Sequence, residues 1–149
     1  MRNVLRITTA IAMLMARPSI GAAQYLGQLS ANPYAANSTS NQLGPYGSPY
    51  GPESVNNLFG QFGSSFSPKS ASNPYAVNAP KLYDDKGSYH GRLSANQFDP
   101  DSTSNPFGRY GSPFSPDSIN NRFGAGSPYR ADSPNNPFGR GWSMYGESC

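Results

Sequence analysis

Imidazole chemistry in this chain depends on one residue, because His90 is the only histidine. Asp84 and Asp85 precede it closely and could orient its ring, as the acid does in a Ser-His-Asp arrangement. The segment YHGRL (89–93) is typical of a β-strand, and we expect His90 on the side of that strand that faces solvent. The sequence therefore predicts a surface histidine and no catalytic residue.

Metal chemistry has few candidate ligands. His90 and Cys149 are the only His and Cys, whereas zinc and redox sites use several such ligands. The segment DPDSTSN loosely resembles the start of a calcium loop through Asp99, Asp101, Ser102 and Asn105. It lacks the central glycine and the final glutamate of an EF-hand loop. We expect Asp101, Asp117 and Asp132 to cap helical turns and predict no cofactor, with weak calcium binding at 99–105 left open.

One 11-residue unit occurs six times, at 34–44, 50–60, 66–76, 98–108, 114–124 and 129–139. Its frame is aromatic, any residue, Pro or Ala, polar, Ser, two variable positions, Asn, any residue, aromatic, Gly. Leu43 replaces the second aromatic once, and Ala76 replaces the Gly once. The Ser and Asn never vary, and we predict that they hold the same local geometry in each unit. They are Ser38, Ser54, Ser70, Ser102, Ser118 and Ser133, with Asn41, Asn57, Asn73, Asn105, Asn121 and Asn136.

Each unit predicts a one-turn helix or an Asx/Ser turn. In the unit at 114–124, Ser115 can cap a helix, Pro116 suits its first position, and Asp117 suits the positive end of its dipole. Asn121 then ends the turn. Because a single helical turn is unstable alone, we expect the two flanking aromatics of each unit to be buried against the next unit.

The block of three units is itself duplicated. YLGQLSAN (25–32) returns as YHGRLSAN (89–96), 64 residues later, so the half repeats span 25–80 and 89–141. Between them, 81–93 contains the turn sequence DKG flanked by Leu and Tyr residues, which predicts a β-hairpin that joins the halves.

The first 23 residues predict a helical export signal. Two arginines precede a ten-residue apolar stretch at 7–16, and small residues at 21–23 favour cleavage after Ala23. The apolar stretch has about half the length that a membrane span needs. We therefore expect a mature repeat region at 24–149 that is located in the periplasm, at the cell surface or outside the cell. A mitochondrial presequence and an uncleaved short anchor are the alternatives.

The mature region has no net charge and little aliphatic material. Residues 24–149 contain eight basic and eight acidic side chains, which argues against a nucleic-acid partner. Nine aliphatic residues and eight phenylalanines fall among these 126 residues, fewer than a conventional core needs. We expect a coil-rich irregular tandem-repeat chain with short β-hairpins and one-turn helices. A largely disordered chain is the alternative.

Three segments carry a resemblance to a protein family. SPDSINN (115–121), NPFGRYGSPF (105–114) and FGAGSPYRADSPNNPFG (123–139) resemble small exported bacterial proteins built from SPDSxNNPYG-type repeats. The similarity covers nearly all of 25–141. The resemblance implies export and a repeat architecture, and it implies no activity, cofactor or catalytic residue.

These observations favour a non-enzymatic exported tandem-repeat protein with a structural or protein-interaction role at the cell envelope or outside the cell. Its partner would be an envelope or extracellular component or a second copy, because zero net charge gives little repulsion between chains. The alternative is a carbohydrate or surface-polymer binding module in which exposed Tyr faces and Trp142 stack on sugars. We expect no nucleic-acid partner and no membrane span after signal cleavage. Cys149 is the only thiol, and an intermolecular disulfide stays open.

Overall fold

The computed structural model describes residues 23–147 of the chain. Four strands form one antiparallel sheet: β1 (Ala23–Leu29), β2 (Lys81–Tyr83), β3 (Tyr89–Arg92) and β4 (Trp142–Glu147). Turns, bends and irregular coil make up the rest of the described residues. The expectation of a coil-rich chain with short antiparallel β structure is confirmed. The predicted signal segment (1–23) lies outside the described residues except for Ala23, and Cys149 lies outside them as well.

Strands β2 and β3 form a hairpin between the two halves of the chain. Lys81 pairs with Arg92 and Tyr83 with Tyr89, which places the hairpin within 81–93. The other two strand pairs join segments that are distant in sequence, since β4 lies between β1 and β2.

The strand order β1-β4-β2-β3 places the two halves of the chain symmetrically in the sheet. β1 opens the first half repeat and β3 opens the second, and both are edge strands. β2 and β4 close the halves and pair in the centre, with Leu82 opposite Met144. Each half therefore pairs its opening strand with the closing strand of the other half. This exchange interlocks the two half repeats.

Each edge strand contains an irregularity at a glycine. Gly27 in β1 and Gly91 in β3 have φ values of 90° and 88°, which glycine adopts without strain. A Cβ atom on Gly27 would lie 2.6 Å from the Cβ of Tyr46. One on Gly91 would lie 2.7 Å from the Cβ of Tyr110. The two glycines therefore let a tyrosine from the repeat region pack directly on each edge strand.

A small apolar core lies on one face of the sheet. Leu26, Leu82 and Met144 are fully buried there, and Trp142 is 1% exposed. Phe62, from the connection between two units, packs into the same cluster and is also fully buried. Strand residues alternate between this face and the opposite one, as the burial pattern of β4 demonstrates. The buried side chains of the core thus come from the strands and from two connections, which supply Phe62 and Ala125. Val55 and Ile119, at variable positions of two units, pack against this core.

The repeat units consist of consecutive β-turns with a three-residue period. In the unit at 114–124, the N–H groups of Ser118, Asn121 and Gly124 each donate to the carbonyl three residues earlier, at 3.2 Å. No helix occurs among the described residues, so the prediction of one-turn helices is wrong. The physical reason is local: Ser and Asn side chains bond the backbone and compete with helical hydrogen bonds.

The invariant Ser and Asn of the frame make the same hydrogen bonds in all six units. The Ser oxygen accepts from the N–H two residues later, as Ser118 does from Asn120 at 3.0 Å. The Asn side chain accepts from the N–H two residues later, as Asn121 does from Phe123 at 3.0 Å. It also donates to the carbonyl six residues earlier, which for Asn121 is that of Ser115 at 2.9 Å. The Ser residues, all 0% exposed, are Ser38, Ser54, Ser70, Ser102, Ser118 and Ser133. The Asn residues are Asn41, Asn57, Asn73, Asn105, Asn121 and Asn136.

The large hydrophobic residues of the frame point outward, and the expectation that they are buried between units is wrong. The three-residue period explains this orientation. Positions 1 and 10 of the frame are separated by three full periods, so their side chains lie on the same side of the unit. The Ser and Asn are separated by one period and lie together on a different side, which faces inward. We call the twelve outward residues the aromatic array. They are Tyr34, Leu43, Tyr50, Phe59, Phe66, Tyr75, Phe98, Phe107, Phe114, Phe123, Tyr129 and Phe138, each 87–99% exposed.

Candidate functional site

Six tyrosines form a continuous row across the outer face of the sheet, opposite the core. Adjacent ring centroids are 5.4–5.8 Å apart, in edge-to-face or tilted contacts that are favourable for aromatic pairs. In spatial order the residues are Tyr46, Tyr25, Tyr145, Tyr83, Tyr89 and Tyr110. We call this row the tyrosine ladder.

The ladder depends on the exchanged strand pairing. Each of the four strands supplies one tyrosine from its outer face, and connections between units supply the two end rings, Tyr46 and Tyr110. The ladder was not predicted, because no local pattern in the sequence indicates that β1 pairs with β4. A signal was available, since Tyr46 and Tyr110 are separated by the same 64 residues that relate Tyr25 to Tyr89.

The hydroxyls of Tyr25 and Tyr89 in the ladder stay protonated at neutral pH. Burial raises the pKa of Tyr89, and the nearby charge of Asp101 raises it further. The Tyr89 hydroxyl donates to Oδ2 of Asp101 at 3.2 Å, a bond that requires the phenol proton. Burial also raises the pKa of Tyr25, with smaller effects from Tyr46 and Tyr145. The row is therefore uncharged at these two positions.

A cleft of about 600 Å³ opens beside the centre of the ladder. Tyr83 and Tyr145 form its aromatic wall, and Lys81, Ser143 and Glu147 also line it from β2 and β4. The turn of the hairpin completes its rim. The volume falls within the range of roughly 300–1,000 Å³ that is usual for small-molecule sites. We call this feature the sheet cleft.

His90 lies in the core, so the prediction of a surface histidine is wrong. It is 8% exposed, and its ring stacks on Trp142 at a centroid distance of 4.1 Å. Nε2 of His90 lies 3.0 Å from Oδ2 of Asp84, and Nδ1 lies 3.1 Å from the carbonyl oxygen of Asp117. Because both ring nitrogens are occupied, neither is free to activate a serine hydroxyl.

The hairpin turn holds the carboxylate of Asp84 in its charged form. Burial by itself raises the pKa of Asp84, but hydrogen bonds from the Ser88 N–H, the His90 ring and the Lys86 N–H outweigh burial and lower it. The two N–H groups lie 2.8 and 2.9 Å from Oδ1 of the carboxylate. A ring that faces a carbonyl and a carboxylate can donate to both only when it is protonated. The His90 ring and the Asp84 carboxylate are therefore held together within the hairpin turn.

The side chains of the calcium-like segment are engaged in local hydrogen bonds. Oδ1 of Asp99 accepts from the N–H of Asp101 at 2.9 Å, and the amide of Asn105 donates to the carbonyl of Asp99 at 3.1 Å. The side chain of Asp101 accepts from Tyr89, and Ser102 is fully buried. Among the described residues, no group of three or more His, Cys, Asp or Glu side chains is arranged to hold a metal ion.

Trp142 does not offer a face to solvent, because it is 1% exposed and its indole lies against the His90 ring. The expectation that it stacks on sugars is wrong. The twelve frame Ser and Asn residues lie inside their own units, where their side chains bond to the backbone. Two surfaces remain as functional candidates, the aromatic array and the sheet cleft.

Comparisons with protein-family models, curated proteins and solved structures find no match to this chain. The described part of the chain contains no helix that is long and apolar enough to cross a bilayer.

Proposed function

We propose that this chain is a non-enzymatic, exported tandem-repeat protein with a structural role, and that it assembles with further copies of itself through the aromatic array. The observation that carries the proposal is exposure: all twelve array side chains are at least 87% exposed. Extensive apolar surface on a soluble protein marks a site of interaction.

Burial of array side chains would favour association strongly. An aromatic side chain buries about 150–250 Å², worth roughly 4–6 kcal/mol at about 25 cal/mol per Å². Phe59 and Phe123 are 98% and 99% exposed, and a phenylalanine side chain has no polar atom that could form a hydrogen bond with water. Burial of about four such rings would offset an association cost of roughly 4–15 kcal/mol.

A second copy of the chain is the partner that best fits the array. Array residues recur every 16 residues in the first half, at Tyr34, Tyr50 and Phe66. Two copies have the same spacing, so rings of several units can meet in register. Residues 24–149 contain eight acidic and eight basic side chains, so copies do not repel one another through net charge.

Export is the second part of the proposal, and the N-terminal sequence supports it. Mass spectrometry of the protein secreted by a bacterial host should give a chain that begins at Gln24. A protein that stays in the cytoplasm at full length would contradict export while leaving assembly open to its own test.

Assembly can be tested by sedimentation equilibrium on residues 23–149 with Cys149→Ser, which removes any disulfide between chains. This segment retains all four strands and all the core side chains that the structure describes. The weight-average mass should rise with protein concentration. A triple variant with Phe107→Ser, Phe123→Ser and Phe138→Ser should associate at least tenfold more weakly, since each substitution removes an exposed ring.

The matched control replaces the same three residues by tyrosine. This variant retains the rings and should associate nearly as strongly as the parent chain. Both triple variants should keep the parent's unfolding temperature within a few degrees, because these side chains are exposed. A parent chain that stays monomeric, or a serine variant that associates as strongly as the parent, overturns the proposal.

A further inference from the structure

The sheet cleft differs in chemistry from the aromatic array and has no part in the assembly proposed above. Independently of that proposal, we propose that the cleft binds a neutral oligosaccharide, with a pyranose ring packed against Tyr83 and Tyr145. The inference depends on the wall of the cleft, the balance of its charges and the polar groups at its edge.

The wall of the cleft is aromatic and held in place. Tyr83 and Tyr145 contact each other at a centroid distance of 5.8 Å, and each also contacts a further ring of the ladder. These contacts, together with the central pairing of β2 and β4, fix the orientation of both side chains. A sugar presents C–H groups on one face of its ring, and such groups pack well against aromatic surface. A preorganised wall reduces the entropy that is lost on binding.

The charges around the cleft are of both signs. Of the two acidic residues of the hairpin turn, Asp85 pairs with Arg140, and Asp84 accepts hydrogen bonds from N–H groups of its own turn. Lys81 and Glu147 remain, and their charges are opposite. An ammonium or a phosphate ligand would meet a like charge as readily as an opposite one. A neutral ligand avoids this cost.

The polar groups at the edge match sugar hydroxyls, which both donate and accept hydrogen bonds. Lys81 supplies a donor, and Glu147 supplies an acceptor. Ser143 donates to Oε1 of Gln28 at 2.8 Å, which leaves the serine oxygen able to accept from a ligand. Aromatic surface with donors and acceptors at its rim is the combination that polyhydroxylated rings require.

The ladder provides a path for a longer chain of sugars. Its ring centroids repeat at 5.6–5.8 Å on both sides of the cleft, which is close to the length of one pyranose unit in an extended polysaccharide. Longer oligosaccharides should therefore bind more tightly than short ones until the ladder is filled.

Isothermal titration calorimetry on residues 23–149 with Cys149→Ser tests the proposal, using cellotetraose, maltotetraose and chitotetraose as neutral probes. At least one should bind at millimolar concentration and shift the backbone amide signals of Lys81 and Gly146 in NMR spectra. Tyr145→Ala should weaken that binding at least tenfold. Glu147→Gln keeps the whole ladder and should weaken it about two- to tenfold, as expected for one hydrogen bond to a charged group.

The control is the triple Phe→Ser variant at Phe107, Phe123 and Phe138, which should bind the same probe with unchanged affinity. Loss of assembly in that variant with retained sugar binding separates the two proposals. No binding of any neutral probe overturns the inference. So does binding of tetramethylammonium or inorganic phosphate in place of the sugars, or equal affinity in the parent chain and both cleft variants.

Discussion

The imidazole of His90 lies parallel to the indole of Trp142, with ring centroids 4.1 Å and planes 14° apart. In the first half repeat the corresponding residue is Leu26, which is fully buried. A polar ring therefore occupies a core position whose counterpart is apolar. The core tolerates it because both ring nitrogens have hydrogen-bond partners, at Asp84 and Asp117. Among the described residues, no buried polar side-chain atom lacks such a partner.

Asp84→Ala should destabilise the fold by about 2–4 kcal/mol at pH 7, because it removes the partner of a buried ring and two bonds within the hairpin turn. Since the folded-state pKa of Asp84 is lowered, its stabilising effect is fully present above its unfolded value of about 3.9. It is lost as pH falls through the lower folded value. Urea unfolding between pH 2 and 8 measures the difference.

The neighbouring variant Asp85→Ala is the control for that experiment. Asp85 pairs with Arg140 at the surface, where an ion pair is worth at most about 1 kcal/mol. A stability difference between Asp84→Ala and the parent that stays constant below pH 4 would contradict the assignment.

Ser118→Ala combined with Asn121→Ala should cost about 2–4 kcal/mol, because three hydrogen bonds to the backbone of one unit are lost. Arg122→Ala, in the same unit, changes an exposed side chain and should stay within about 0.5 kcal/mol of the parent. Thermal and chemical unfolding of the two variants measure the difference. Equal effects would indicate that the frame residues do not support the fold.

Gly91→Ala should destabilise the protein more than Gly87→Ala. Both glycines have positive φ, so both substitutions strain the backbone by about 1–3 kcal/mol. A Cβ on Gly91 would also lie 2.7 Å from the Cβ of Tyr110, whereas one on Gly87 meets no atom within 4 Å. The unfolding temperatures should rank parent, Gly87→Ala, Gly91→Ala. The reverse order for the two variants would contradict the packing of Tyr110 on β3.

Small-angle scattering on residues 24–149 separates the folded chain from the disordered alternative. With Cys149→Ser, at dilutions where the chain is monomeric, a folded domain of this length should have a radius of gyration of about 14 Å. A disordered chain of the same length should have about 36 Å. A value above about 30 Å would contradict the fold and remove the basis of the sheet cleft.

The local conformation of the repeats follows from the sequence. The invariant Ser and Asn predict Asx and Ser turns, and the structure contains these turns, since each side chain bonds to backbone within six residues of itself. The helical alternative was wrong. Ser115, Pro116 and Asp117 are favourable at the start of a helix, but hydrogen bonds from the Ser and Asn side chains to the backbone compete with helical hydrogen bonds. The hairpin at 81–93 could be predicted from its turn sequence, and the coil-rich character from the composition.

Only the tertiary structure decided which side chains face inward. The three-residue turn period turns the frame aromatics toward solvent, and residues outside the frame, such as Phe62 and Trp142, build the core instead. Pairing of β1 with β4 joins residues more than 100 positions apart, and no local pattern specifies which distant edge a strand will meet. The burial of His90 against Trp142 and the row of six tyrosines both depend on β4 lying between β1 and β2. Local hydrogen bonds determine the shape of each unit, whereas closure of the sheet determines what the assembled units bury and what they expose.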